Sequence, residues 1–128
     1  MPHFTVEYSE NLDPVVDMAA FCERIRLAML DTGLFELGAI RVRALRAESY
    51  AVADVLPLNS FVDMSLRIGA GRSPEDKKQA GDAIFAVAAA FFSPQLATAH
   101  FALSLEIREI DPALSWKRNS IHPRLRNQ

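Results

Sequence analysis

Phe61-Val62-Asp63-Met64-Ser65-Leu66-Arg67-Ile68-Gly69-Ala70-Gly71-Arg72-Ser73-Pro74 is the stretch on which the fold turns. Apolar and polar side chains alternate from Phe61 to Ile68, a period of two that predicts a half-buried strand. Glycines then break the pattern, and Ser73 followed by Pro74 supplies an N-cap and a proline for the first helical turn, with Asp76 completing a capping box. Ala80, Ala83, Ile84, Val87, Ala88 and Phe91 follow at helical spacing. Ser93 and Pro94 end that helix, and Phe101 to Ile110 alternates again.

The same order is written before this stretch. His3 to Tyr8 alternates, with Phe4, Val6 and Tyr8 on one side. Asp13 and Pro14 read as N-cap and first helical residue, and Met18, Phe21, Cys22, Ile25, Ala28 and Met29 keep helical spacing as far as Gly33, a helix of about five turns. Ile40 to Arg46 alternates next, with Arg41, Arg43 and Leu45 opposite Ile40, Val42 and Ala44. Strand, helix, strand therefore occurs twice, with the strands offset by about 60 residues. The expectation is one domain over 1–128 with related halves of about 1–60 and 61–128. Right-handed crossovers place both helices on one face of a four-stranded sheet, an α+β fold. The other face, carrying Phe, Leu and Met, is then uncovered, which predicts a symmetric oligomer.

Bulk properties narrow the function. The 128 residues hold 14 basic and 16 acidic side chains, a formal charge of -2, so no overall field favours nucleic acid or a membrane surface. The longest apolar run, Ala83 to Phe92, is too short to cross a bilayer, and no basic-then-apolar leader opens the chain, so a cytoplasmic location is expected. Cys22 is the sole cysteine, and His3, His100 and His122 show no ligand spacing, so neither a disulfide nor a metal site is expected. Four basic residues beside Trp116 near the carboxyl end are a weak nucleic-acid signal in an acidic chain. A tail packing Trp116 on a neighbouring subunit, or walling a pocket there, fits better.

The chemistry-bearing candidate is Met1-Pro2. Methionine is normally trimmed before a small residue, which leaves a secondary amine directly ahead of a strand that holds it in place. An α-amino group titrates near about 8, and an apolar pocket beside cations lowers that value, so a neutral base prevails at physiological pH. If Met1 stays attached, Pro2 is an amide nitrogen without a usable lone pair. Arg72 ends the glycine loop beside a helix N-terminus, where anions are favoured and a guanidinium fork matches a carboxylate. The loop is not a phosphate-binding P-loop, because the Gly-Lys-Ser/Thr ending is missing. Arg41 begins a strand, where a long cation implies an open face or an anion; the alternative is a rim arginine paired with Glu106 or Glu7. Arg43, Arg46 and Arg67 read as solvated or subunit-contact charges.

The opening Met1-Pro2-His3-Phe4-Thr5-Val6-Glu7, the strand entry Gly38 to Arg41, Ile68-Gly69-Ala70-Gly71-Arg72-Ser73, Leu105-Glu106-Ile107-Arg108-Glu109-Ile110 and Trp116-Lys117 together resemble the tautomerase superfamily. Over nearly the whole length, the likeness is to members that isomerise carboxylated hydroxymuconates in aromatic catabolism. The resemblance implies duplicated β-α-β halves whose open sheet face is buried in a homotrimer. It implies Pro2 as the proton-shuttling base and Arg41 and Arg72 as the groups that bind carboxylates and stabilise charge on a 2-oxo oxygen. It also implies Trp116, or less well aligned Tyr50, as an aromatic wall. The implied substrate is a small di- or tricarboxylate, and no metal or organic cofactor is implied. Two other functions stay open: a carboxylate-binding trimer without turnover, and a hydratase or dehalogenase of the same superfamily.

Overall fold

The computed structural model describes residues 1–127. Strands β1 (His3–Ser9), β2 (Arg41–Ala47), β3 (Ser60–Gly69) and β4 (Phe101–Ile110) form one sheet in the order β2-β1-β3-β4. Helix α1 (Met18–Asp31) links the parallel pair β1 and β2, and α2 (Pro74–Phe91) links the parallel pair β3 and β4. The two pairs meet where β1 runs antiparallel to β3, with Val6 opposite Met64. A single turn, α3 (Ser93–Leu96), extends α2, and a short helix α4 (Ile121–Arg126) follows β4.

One apolar layer between sheet and helices explains why these segments fold so. Phe4, Val6 and Tyr8 of β1 and Val62, Met64, Leu66 and Ile68 of β3 point to the same side as Phe21, Ile25 and Met29 of α1 and Ile84, Ala88 and Phe92 of the second helical unit. The Phe21 ring sits 4.9 Å from the Phe91 centroid and 4.7 Å from that of Phe92. Both helices therefore cover one face, as the alternation predicts. Ala80, Ile84 and Ala88 are the buried stripe of α2; Val87 and Phe91 are half-buried, and Ala83 is exposed.

Three expectations are corrected. The first helix does not start at Asp13 and Pro14 but at Met18, with the Asp17 side chain accepting from the Ala20 amide at 3.1 Å. Asp13 has αR dihedrals, unlike the extended backbone an N-cap needs. Its carboxylate instead accepts from the Tyr8 hydroxyl at 2.8 Å and pairs with Arg46 at 2.8 Å. The helix is consequently about one turn shorter than the Asp13-Pro14 pattern suggests, and starts with its apolar series at Met18. Strand β2 likewise begins one residue late, because Ile40 closes a 3-10 turn at Leu37–Ala39.

The third correction concerns the uncovered sheet face. It is polar: His3, Thr5 and Glu7 run in register between Arg41, Arg43 and Leu45 on one side and Arg67, Ser65 and Asp63 on the other. Among the described residues Leu45, half-buried Phe61 and half-buried Ile110 are the large apolar side chains there, while Met64 belongs to the core. Any partner on this face is held through charge and hydrogen-bond pairing more than through apolar burial. Among the described residues no helix is long and apolar enough to cross a membrane.

Candidate active site

Pro2, Arg41 and Arg72 meet at the start of β1. Pro2 is buried, because β1 is the inner strand and pairs on both sides from His3 onward. The β1–β2 register puts Arg41 opposite His3, so its side chain reaches back over the chain start. Its Nη1 donates to the Ala39 carbonyl at 2.9 Å and lies 2.9 Å from the Met1 thioether sulfur. Neither Glu7 nor Glu106 pairs with Arg41; Glu106 is engaged by Arg108.

Arg72 comes to the same place from β3. Gly71 has a φ of +111°, a conformation side chains resist, and it turns the loop so that Arg72 folds back over the end of the strand. Nη1 donates to the Gly69 carbonyl at 3.2 Å, Nη2 donates to the Leu34 carbonyl at 3.1 Å, and the guanidinium lies 5.1 Å from the Phe35 ring centroid. These contacts fix its plane and leave further N–H groups for a ligand. The expected partnership with the N-terminus of α2 is absent. Ser73 caps the Asp76 amide itself, and Glu75 and Asp76 fill that first turn with negative charge, so the helix N-terminus adds no free anion site beside Arg72.

Pro2, Phe35, Arg72, Lys117, Asn119 and His122 line a hollow of about 500 Å³ beside Met1. The segment after β4 makes its outer wall. Asn119 donates to the Gly38 carbonyl at 2.8 Å and accepts from the Ile121 amide at 2.8 Å, which starts α4 against the Leu37–Ala39 turn. Arg126 grips both oxygens of Glu36, the only carboxylate lining this hollow among the described residues, and holds its acid below the usual range. His122 Nδ1 is buried 3.2 Å from the same carboxylate without hydrogen-bond geometry to it.

A second hollow lies on the opposite side of Met1, between His3, Arg67, Gly69, Trp116 and Lys117. Trp116 is 85% exposed there and does not line the hollow around Pro2. Tyr50 lies at the far end of the sheet, its ring edge-on to Phe61 at 6.2 Å, and reaches neither hollow. Phe35 is the aromatic side chain that the chain itself sets against Pro2 and Arg72.

The electrostatics are one-sided. Among the described residues Arg41, Arg72 and Lys117 have no carboxylate within ion-pair distance. Burial, then the charge and hydrogen bond of Lys117, then Arg72 and Arg41 hold the amino group of Met1 below its ordinary value. Burial followed by Arg67, Arg43 and Arg41 likewise lowers the His3 imidazole. Such a cluster binds anions and keeps an amine neutral. Among the described residues no group of acids, histidines and cysteine could hold a metal ion. Periodicity could not reveal Phe35, Lys117, Asn119 or His122, because they lie in turns and in the tail, where no repeat marks a side chain's direction.

Comparison with known proteins adds chemistry to this geometry. A family model described as 5-carboxymethyl-2-hydroxymuconate isomerase matches residues 2–125. The chain is similar to the 5-carboxymethyl-2-hydroxymuconate Delta-isomerase of Escherichia coli, 36% identical over 122 residues that span 95% of this chain and 97% of the relative. It is similar to a solved 5-carboxymethyl-2-hydroxymuconate isomerase from Deinococcus radiodurans R1, with 42% identity, a TM-score of 0.89, and coverage of 97% and 93%. A structure described as a fused 4-OT wild type symmetric trimer shares the fold, with 18% identity, a TM-score of 0.68, and coverage of 91% and 93%.

Proposed function

We propose, for a chain that belongs to the 5-carboxymethyl-2-hydroxymuconate isomerase family, that it shifts the conjugated double bonds of 5-carboxymethyl-2-hydroxymuconate with the Pro2 amine, freed by removal of Met1, as general base. The observation that carries this reading is the meeting of Arg41, Arg72 and Lys117, three cations without carboxylate partners, around the chain start. Membership makes the chain an isomerase of the tautomerase type. The role of each residue is our inference.

Pro2 takes the proton of the 2-hydroxyl group, the electrons of the dienol move along the conjugated chain, and the same amine returns the proton to C5. One O–H bond breaks and one C–H bond forms, so no electrons are gained or lost and no cofactor is called for. Arg72, held flat by Leu34, Gly69 and Phe35, suits a planar carboxylate or the developing 2-oxo oxygen; Arg41 takes the other once Met1 no longer covers it. The cations that hold the Met1 amino group below its ordinary value surround Pro2 as well, so a prolyl amine freed there meets the same field and is favoured as the neutral base.

The homotrimer is part of the proposal. Trp116, Leu114, Leu58 and Val55 are each more than two-thirds exposed, the sheet face carries rows of charged and polar side chains, and a fused relative of this fold is described as a trimer. In such an assembly Trp116 walls a neighbouring subunit's site. The test uses two preparations whose first residue is fixed by intact mass, one beginning at Pro2 and one retaining Met1. Loss of ultraviolet absorbance of 5-carboxymethyl-2-hydroxymuconate is expected only with the first. Equal turnover by both overturns the proline base, and turnover by neither favours a carboxylate-binding trimer.

A further inference from the structure

Resting on that reading of the site, we propose that Lys117 reads the third carboxylate of the substrate, the one on the carboxymethyl arm, and so makes the site selective for tricarboxylates over dicarboxylates. Lys117 is the residue besides Met1 that lines both hollows at the start of β1. Its charge is the first after burial among the causes that hold the Met1 amino group below its ordinary value. Its backbone is placed by the β4 end on one side and by the Asn119–Gly38 hydrogen bond on the other. The single acid of the Pro2 hollow, Glu36, is already neutralised by Arg126, so the positive charge of Lys117 faces open space.

Three carboxylates meet three free cations of two kinds. Arg41 and Arg72 are partly committed to backbone carbonyls, which fixes their forks and suits the two ends of a rigid conjugated diacid, the C1 carboxylate with its adjoining 2-oxo oxygen at one and the C6 carboxylate at the other. The carboxymethyl arm turns freely about a single bond. An ammonium on a flexible stem follows such a group, because a point charge imposes no plane on its partner. A dicarboxylate lacking the arm leaves Lys117 without a partner and gains nothing from it.

Binding separates this proposal from the catalytic one. Pentane-1,2,5-tricarboxylate has the carbon skeleton of the saturated substrate, and hexanedioate is the same skeleton without the arm; neither can be turned over. Calorimetric titration of the Met1-free protein with both acids is compared for wild type, Lys117→Met and Lys117→Arg. Lys117→Met is expected to weaken the tricarboxylate by about tenfold to a hundredfold, the range of one charge-assisted hydrogen bond, and hexanedioate by less than about threefold. Lys117→Arg restores most of the tricarboxylate affinity. Equal losses for the two acids, or no loss for the tricarboxylate, overturn the proposal. A lysine acting only through the Pro2 amine treats both acids alike. Because these measurements need no turnover, they stand even if the isomerase reading of Pro2 fails.

Discussion

Gly38→Ala separates the wall of the site from the fold that carries it. A Cβ at this buried position would sit 2.8 Å from His122 Nδ1, 3.3 Å from its Cα and 3.4 Å from its amide nitrogen. Carbon contacts relax only near about 3.5–4.0 Å, so the imidazole has to swing aside and the start of α4 has to back away by several tenths of an ångström. Overpacking of this kind costs about 1–3 kcal/mol. What holds α4 is of the same size: the Asn119–Gly38 hydrogen bond contributes about 1 kcal/mol, and the exposed Arg126–Glu36 pair less than that. His122 Nδ1 has no hydrogen bond to lose. The tail should therefore detach while the sheet stays intact. A local loss of about 2 kcal/mol corresponds to roughly thirtyfold faster amide exchange in 117–127, with β3 unchanged and a Tm shift of a few degrees at most. Hydrogen exchange read by mass spectrometry checks this, alongside a raised KM. Unchanged exchange in 117–127, or acceleration throughout the sheet, would refute the reasoning.

Three further outcomes follow from the same contacts. Phe21→Ala empties the fully buried centre between Phe91 and Phe92 and should cost about 3–5 kcal/mol in urea unfolding; a loss below about 1 kcal/mol contradicts the packing described. Arg72→Lys keeps the charge but cannot donate to Leu34 and Gly69 and stack on Phe35 together. It should lower kcat/KM at least about tenfold, with both KM and kcat affected, whereas unaltered kinetics would make the fork irrelevant. The base must be neutral, and a freed Pro2 amine meets the burial and the Lys117, Arg72 and Arg41 charges that lower the Met1 amino group, so kcat/KM should fall only as pH drops through a value below about 8. Molar salt screens the cations and should move that acid limb upward, and a limb at or above 8 in dilute buffer counts against the cluster.

What could be read from residue order was whatever repeats. The alternation in 61–68 and 101–110 and the stripe of Ala80, Ile84 and Ala88 located strands and helix closely, because burial on one side imposes a period. The start of α1 escaped, since Asp13 and Pro14 carry a capping pattern whose aspartate is claimed by Tyr8 of β1 and Arg46 of β2, contacts that a capping pattern does not register. The meeting of the chain start with the Gly69 to Arg72 loop was legible as a candidate, because Pro2 directly precedes a strand and the glycines mark a sharp turn after another. Phe35, Lys117 and His122 were not, because the Asn119–Gly38 bond spans 81 residues and only the folded tail sets them beside Pro2. The apolar expectation for the open sheet face held for Phe61 and Leu45 and failed for Met64, which points inward, while charged and hydroxyl side chains fill most of that face.

The central claim is that the free amine of Pro2 moves the proton. Pro2→Ala, with the first residue of each preparation verified by intact mass, tests it against wild type on 5-carboxymethyl-2-hydroxymuconate at saturating concentration. A kcat lower by at least about a hundredfold, with oligomeric state and tricarboxylate affinity retained, is the predicted result for loss of one general base. A kcat within about threefold of wild type would contradict it.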